Sequence, residues 1–156
     1  MDNLTETKLT SEKIYSGCIL DFYRDTVRLP NGGTAPRELS RHVGAVCIVP
    51  LLDDGRVIVE RQFRYPVNEV ITEIPAGKRD SRDEAPEAAA RRELREETGL
   101  RLTAITHVLP PAACTVGIGD ERTVCVFGTA EGTFRPSTDP MEEIESAWYT
   151  RAQVRA

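Results

Sequence analysis

The sequence predicts a single domain of the α+β class, and three observations carry that reading. One segment, Pro86–Thr98, has the marks of a helix at both ends. Most other apolar residues fall in short β-rich runs separated by turn dipeptides. The chain has 156 residues and 40% hydrophobic content, enough for one real core and too little to suggest two. It holds no internal repeat and no low-complexity tract.

In chain order, residues 1–12 are polar and are expected to fray. From Lys13 onward alternating runs flank Asn31-Gly32-Gly33, which predicts two strands in an antiparallel hairpin before the core. Ile14, Tyr15, Ile19, Phe22 and Tyr23 give this ribbon more apolar surface than it can bury alone. A second subunit is one neighbour that would cover it.

Residues 45–51 and 57–62 are β-rich and are joined by Asp53-Asp54-Gly55, so they read as a central hairpin. Glu73-Ile74-Pro75-Ala76-Gly77 follows, and an exposed backbone carbonyl just before Gly77 is a candidate hard oxygen ligand. In the helix, Pro86 suits a first helical position, alanines and Leu94 follow, and Gly99 stands where a left-handed stop belongs. Residues 102–109 and 123–127 read as strands, then comes a Pro-rich loop and a last strand around 147–149. Residues 150–156 begin a second helix that stops early.

The chemistry is placed on the first helix. At about 100° per residue, Glu93, Glu96 and Glu97 fall within an arc of about 100°, beside small Ala89 and Ala90. Carboxylates four apart repel by roughly 0.2–0.5 kcal/mol, a cost that a hard divalent cation would remove. Oxygen-only ligands suit magnesium, or manganese, whereas zinc would want His or Cys. The plainer alternative is a solvated helix laced by Arg92–Glu96 and Glu87–Arg91 pairs, with Arg91, Arg92 and Arg95 as its exposed basic face. Under either reading Arg92 can hold Glu96 in place.

A net charge of −5 and a pI near 5.2 exclude a general nucleic-acid binder. An anionic substrate would need local help from a metal and a few arginines. Cys18, Cys47, Cys114 and Cys125 have no metal-like spacing and read as buried or inert thiols. With no apolar leader and no membrane-length run, the expected location is cytoplasmic, with no membrane partner. His42 and His107 lie in or beside strand patterns and read as structural.

Arg92-Glu93-Leu94-Arg95-Glu96-Glu97-Thr98-Gly99-Leu100 resembles the second half of the Nudix box, the signature of Nudix hydrolases. Upstream that signature places five residues between its glycine and its glutamate, then seven before Arg-Glu. Here Glu84 keeps the seven but six residues separate it from Gly77; Asp83 would keep the five and leave eight. Glu84 is preferred, because a loop absorbs an insertion more easily than a helix. Arg61-Gln62-Phe63-Arg64-Tyr65-Pro66, Glu73-Ile74-Pro75-Ala76-Gly77 and Arg41-His42-Val43-Gly44-Ala45-Val46 look like the ADP-ribose pyrophosphatase branch. The resemblance covers about residues 13–150.

The resemblance implies an α/β/α sandwich of mixed sheet, with residues 41–156 as the hydrolase domain and residues 1–40 as a tail and hairpin extension that contacts a second subunit. It also implies a longer C-terminal helix than residues 150–156 allow. The implied metal ligands are the Ala76 carbonyl, Glu93, Glu96 and Glu97, with Glu93 and Glu97 also catalytic. Arg64 would contact the substrate diphosphate, as a planar guanidinium is suited to do. Arg41 and Glu73 lie in the matching stretches and are the further substrate-binding candidates. In the glycine-rich loop 115–122, Glu121 matches a catalytic base, with Asp120 as its rival; the plain reading is a mobile loop.

The implied reaction is metal-dependent hydrolysis of ADP-ribose or a related nucleoside diphosphate sugar, giving AMP and ribose 5-phosphate, in a homodimer. Alternatives are another nucleotide-sugar or dinucleotide substrate, a non-catalytic nucleotide sensor, and a structural cation-binding domain. Tyr15, Phe22, Tyr23, Phe63 and Trp148 could stack on a base, although aromatics at these spacings are more often core.

Overall fold

A computed structural model describes residues 4–155 of the chain. The elements are β1 Thr7–Ser16, β2 Asp21–Arg28, β3 Thr34–Arg41, β4 Ala45–Pro50, β5 Val57–Arg64, β6 Glu69–Glu73, β7 Ala76–Lys78, α1 Pro86–Thr98, β8 Arg101–Val108, β9 Ala112–Ala113, β10 Arg122–Glu131, β11 Ile144–Tyr149 and α2 Arg151–Arg155. They divide into two units, residues 1–43 with 113–122, and residues 44–112 with 123–156.

In the first unit, β1, β2 and β3 form an antiparallel sheet in that order. The turn at Asn31-Gly32-Gly33 closes β2 onto β3, with the Asn31 side chain accepting the Gly33 N–H at 2.9 Å. The N-terminal region therefore holds three strands, not two, and residues 7–12 are paired rather than frayed; residues 1–3 lie outside the described residues. The sequence hid β1 because every residue in it is exposed, so no inside-outside alternation marks it. The segment 113–122 joins β3: Ser40 N–H donates to the Ile118 carbonyl at 2.8 Å, and His42 N–H to the Asp120 carboxylate at 2.7 Å.

The second unit holds a mixed sheet in the order β7-β4-β10-β8, with β4 and β10 parallel and the outer pairs antiparallel. A separate antiparallel sheet runs β11-β5-β6. The expected central hairpin is not a ladder. The Asp53-Asp54-Gly55 turn forms, with Gly55 at φ 82°, but β4 and β5 enter different sheets, and a single isolated bridge, Leu51 to Val57, links the segments that carry them. Each strand already has neighbours on both edges, and Pro50, which lacks an N–H, closes β4.

Helix α1 spans the predicted residues and ends at Gly99, whose φ of 77° is left-handed and whose N–H donates to the Arg95 carbonyl. Ala89, Ala90 and Leu94 bury its inner face among Val46, Ile48, Ile58, Leu102 and Val126. Fully burying Leu94 contributes about 1.5–3 kcal/mol, and the alanines let the helix approach closely. Trp148 packs on Phe134 beside this core, as the plainer reading of the aromatics expected. The thiols differ from expectation: Cys18 and Cys114 are exposed and Cys47 and Cys125 are half-buried, all four free. No helix among the described residues is long and apolar enough to cross a membrane.

Candidate active site

The α1 face that carries the glutamates is not uniformly solvated. Glu97 is buried, Glu93 nearly so, and Glu96 is the most open of the three. Gly77 lies directly under Glu93: a Cβ at residue 77 would fall 2.1 Å from the Glu93 carboxyl carbon, so any side chain there would displace that carboxylate from its place against β7. The Ala76 N–H donates to Glu97 at 3.2 Å. Ala76 itself is half-buried in β7, so the strand edge, not an open loop, delivers it to the acids.

Arg92 organises the open side. Its guanidinium donates to Glu93 at 2.8 Å, Glu96 at 3.1 Å and both oxygens of Glu84 at 3.1–3.2 Å. Glu84 in turn accepts the Asp80 N–H at 2.7 Å, and Arg92 holds its carboxyl below the usual range. Of the two candidates for the signature's upstream acid, Glu84 thus joins the Arg92 network, whereas Asp83 is exposed. Arg91 turns away to the Leu102 carbonyl instead of pairing with Glu87.

The hairpin β5–β6 supplies the facing wall. Glu60 and Glu73 are cross-strand partners, and Arg64 reaches back to donate to Glu73 at 2.7 Å. Glu60 is buried at 3% exposure and accepts from the Ser146 hydroxyl at 3.1 Å. Burial pushes the Glu97 carboxyl well up, with the charges of Glu60, Glu93 and Glu142 adding to it and the Ala76 N–H opposing. Glu60 is also raised, chiefly by burial, and so is Glu93, against the pull of Arg92. The Arg64 guanidinium is held charged by Glu73, with Glu142 and Glu97 contributing.

Two of these acids were missed from sequence. Glu60 interrupts the buried run Val57-Ile58-Val59, a signal that was there to be read. Glu142, in the loop before β11, carries no pattern that marks it. It lines a cavity of about 500 Å³ together with Arg61, Phe63 and Val70. Phe63 is exposed at this cavity, unlike a core aromatic.

Glu121 and Arg41 lie in the other unit. Glu121 is 3.8 Å from the His42 ring, whereas Asp120 is engaged with the His42 backbone. Arg41 donates to buried Asp25 at 3.2 Å and stacks 4.4 Å from the Tyr23 ring centroid, which ties β2 to β3.

The donor set suits a hard cation. Buried Glu60 and Glu97 crowd together with half-buried Glu93, oxygen is their only donor atom, and burial disfavours their charged forms until a positive charge arrives. Among the described residues no three acidic, His or Cys side chains already converge on one point, so the fit lies in the chemistry of the donors and not in a finished cage.

A mixed-sheet α+β fold that sets such acids opposite an arginine defines a class of site for a cation and an anionic substrate. A family model of the NUDIX domain matches residues 41–156, and the chain belongs to that family. It is 43% identical over 108 residues to an ADP-ribose pyrophosphatase of Bacillus subtilis (strain 168), a match covering 69% of this chain and 58% of that protein. It is 36% identical over 149 residues to an ADP-ribose pyrophosphatase of Mycobacterium tuberculosis (strain H37Rv), covering 94% of this chain and 71% of that protein. The fold also matches a crystal structure of an ADP compounds hydrolase, with a TM-score of 0.79, 22% identity, and coverage of 96% of this chain and 80% of that one. The chain thus spans 58% of the length of the first of these relatives.

Proposed function

We propose that the chain hydrolyses the diphosphate of ADP-ribose or a related nucleoside diphosphate sugar, with magnesium or manganese as cofactor, giving AMP and ribose 5-phosphate from ADP-ribose. The observation that carries this is the trio of buried Glu60 and Glu97 and half-buried Glu93 opposite Arg64, in a chain whose relatives include ADP-ribose pyrophosphatases. Glu93, Glu96, Glu97 and the Ala76 carbonyl are the proposed ligands. A divalent ion held there would neutralise the diphosphate and acidify the attacking water.

The chain's own groups then have separate tasks. Arg64, already positioned by Glu73, clamps the phosphate that leaves. Water adds to the other phosphorus in line, the P–O–P bridge breaks, and a carboxylate takes the proton. Glu142 is the acceptor favoured by position, since it shares a unit with Glu97 and its charge acts on Glu60, Glu93, Glu97 and Arg64. Glu121 is the acceptor that the family resemblance favours, and Arg41 enters as a substrate contact on the same ground. The cavity beside Glu142, with Phe63 on its wall, is the proposed seat of the base or sugar.

The test is incubation with ADP-ribose and magnesium beside a chelator control, with nucleotide products separated by chromatography. AMP that forms only with the metal supports the proposal, and a panel of nucleotide sugars then ranks substrates. No turnover on any of them, together with protection from thermal unfolding by ADP-ribose, would replace the enzyme with a sensor.

The active form is proposed to be a homodimer in the cytoplasm. Support for the dimer comes from β1, exposed along its whole length, and from Ile14, Tyr15, Ile19 and Phe22, all exposed on the first unit. Four free thiols fit a reducing compartment. Light scattering is expected to return about twice the 17.3 kDa of one chain, and the mass of one chain would rule the dimer out.

A further inference from the structure

Beside its acidic stripe, α1 carries a basic side. Arg91, Arg92, Arg95, Arg101 and Arg135 line an open groove of about 1070 Å³ in a protein of net charge −5, with one carboxylate, Glu96, at its edge and paired with Arg92. Three of the five are engaged: Arg91 with the Leu102 carbonyl, Arg101 with Glu131, and Arg92 with the glutamates. Arg95 and Arg135 make no side-chain hydrogen bond or ion pair with any described residue. Arg91 and Arg95 stand four apart on the helix, a spacing at which like charges repel.

Arginines near a helix C-terminus ordinarily serve its free carbonyls. Here backbone amides already do so. The carbonyls of Arg95, Glu96 and Thr98 accept the N–H groups of Gly99, Thr138 and Arg135, at 2.8–2.9 Å. The same bond pins Arg135, whose stem also packs on Gly99: a Cβ at Gly99 would meet the Arg135 Cβ at 2.8 Å. The helix thus leaves two guanidinium groups uncommitted, one of them on a fixed stem, with three more beside them.

We propose that this groove, which adjoins the carboxylate pocket along Arg92 and Glu96 but is centred on Arg95 and Arg135, is a second anion site that takes a small ligand through its diphosphate group. Planar guanidinium forks bind phosphate oxygens in pairs, and several around one groove match a diphosphate better than a single carboxylate. The site does not depend on the hydrolase reading, because neither Arg95 nor Arg135 has a part in it.

The test is calorimetric titration of inorganic pyrophosphate and, separately, ADP into the intact chain with chelator present. The Arg95→Gln/Arg135→Gln double variant keeps the Cβ and Cγ that pack on Gly99, and its fold is checked by circular dichroism. Arg64→Gln serves as the control for binding in the carboxylate pocket. The double variant is expected to weaken binding by about tenfold or more while Arg64→Gln leaves it unchanged, and added salt should weaken binding in the parent. Equal affinity for both ligands would assign the bare diphosphate, and tighter binding of ADP a nucleotide, each through the groove. Absence of binding, or binding kept in the double variant whether or not Arg64→Gln abolishes it, would overturn the site.

Discussion

Glu97→Gln is expected to lower turnover of ADP-ribose by at least about a hundredfold at saturating magnesium, because it removes the most buried of the helix's proposed carboxylate ligands. The same change should make the metal-free protein more stable at neutral pH. Glu97 and Glu60 are raised above the ordinary value of 4.5, so the folded state holds their protons more tightly than the unfolded chain does. Stability from these groups is therefore full below that value and is lost as pH rises toward and past neutrality. With glutamine at residue 97 the repulsion has no second charge, and this loss should shrink. Thermal melts in chelator between about pH 5 and 8, for both proteins, check it. A parent whose melting temperature does not fall across that range would show that the buried acids impose no such cost. Magnesium should restore the parent at the alkaline end and do little for the variant.

Glu142→Gln is expected to reduce kcat by about 10²–10⁴-fold with little change in KM, the range for loss of a proton acceptor. Glu121→Gln is expected to have the smaller effect, since Glu142 is the acid whose charge reaches Glu93 and Glu97. Measuring kcat against pH for both variants separates the roles, because only loss of the acceptor should remove the acid limb of the profile. If Glu121→Gln instead carries the large loss, the resemblance located the base and Glu142 merely shapes the field.

How much of this was legible in the sequence depended on whether a local signal existed. Pro86 and Gly99 bracket α1 correctly, because helix ends are fixed by the conformations those two residues prefer. The three glutamates were readable from helical period alone. The pairing of β4 and β5 was not, because a turn motif such as Asp53-Asp54-Gly55 states that the chain reverses and not which sheet receives each strand. β1 was lost for lack of a buried face. Glu60 was visible as a charge in an apolar strand, but Glu142 becomes meaningful only once the loop before β11 is seen to project its charge onto the helix. Glu84 was preferred over Asp83 because a loop absorbs an insertion more easily than a helix, and it is Glu84 that pairs with Arg92.

The segment 113–122 has a consequence for biosynthesis. Ser40 finds its partner Ile118 only after 78 further residues have been made, so the ribosome must release most of the chain before the first unit can be completed. Until then β3 has an unpaired end at Ser40, and any chaperone that protects the nascent protein has that edge to cover. Removing residues 1–43 would leave the converse defect, the loop that bears Glu121 without the strand that holds it.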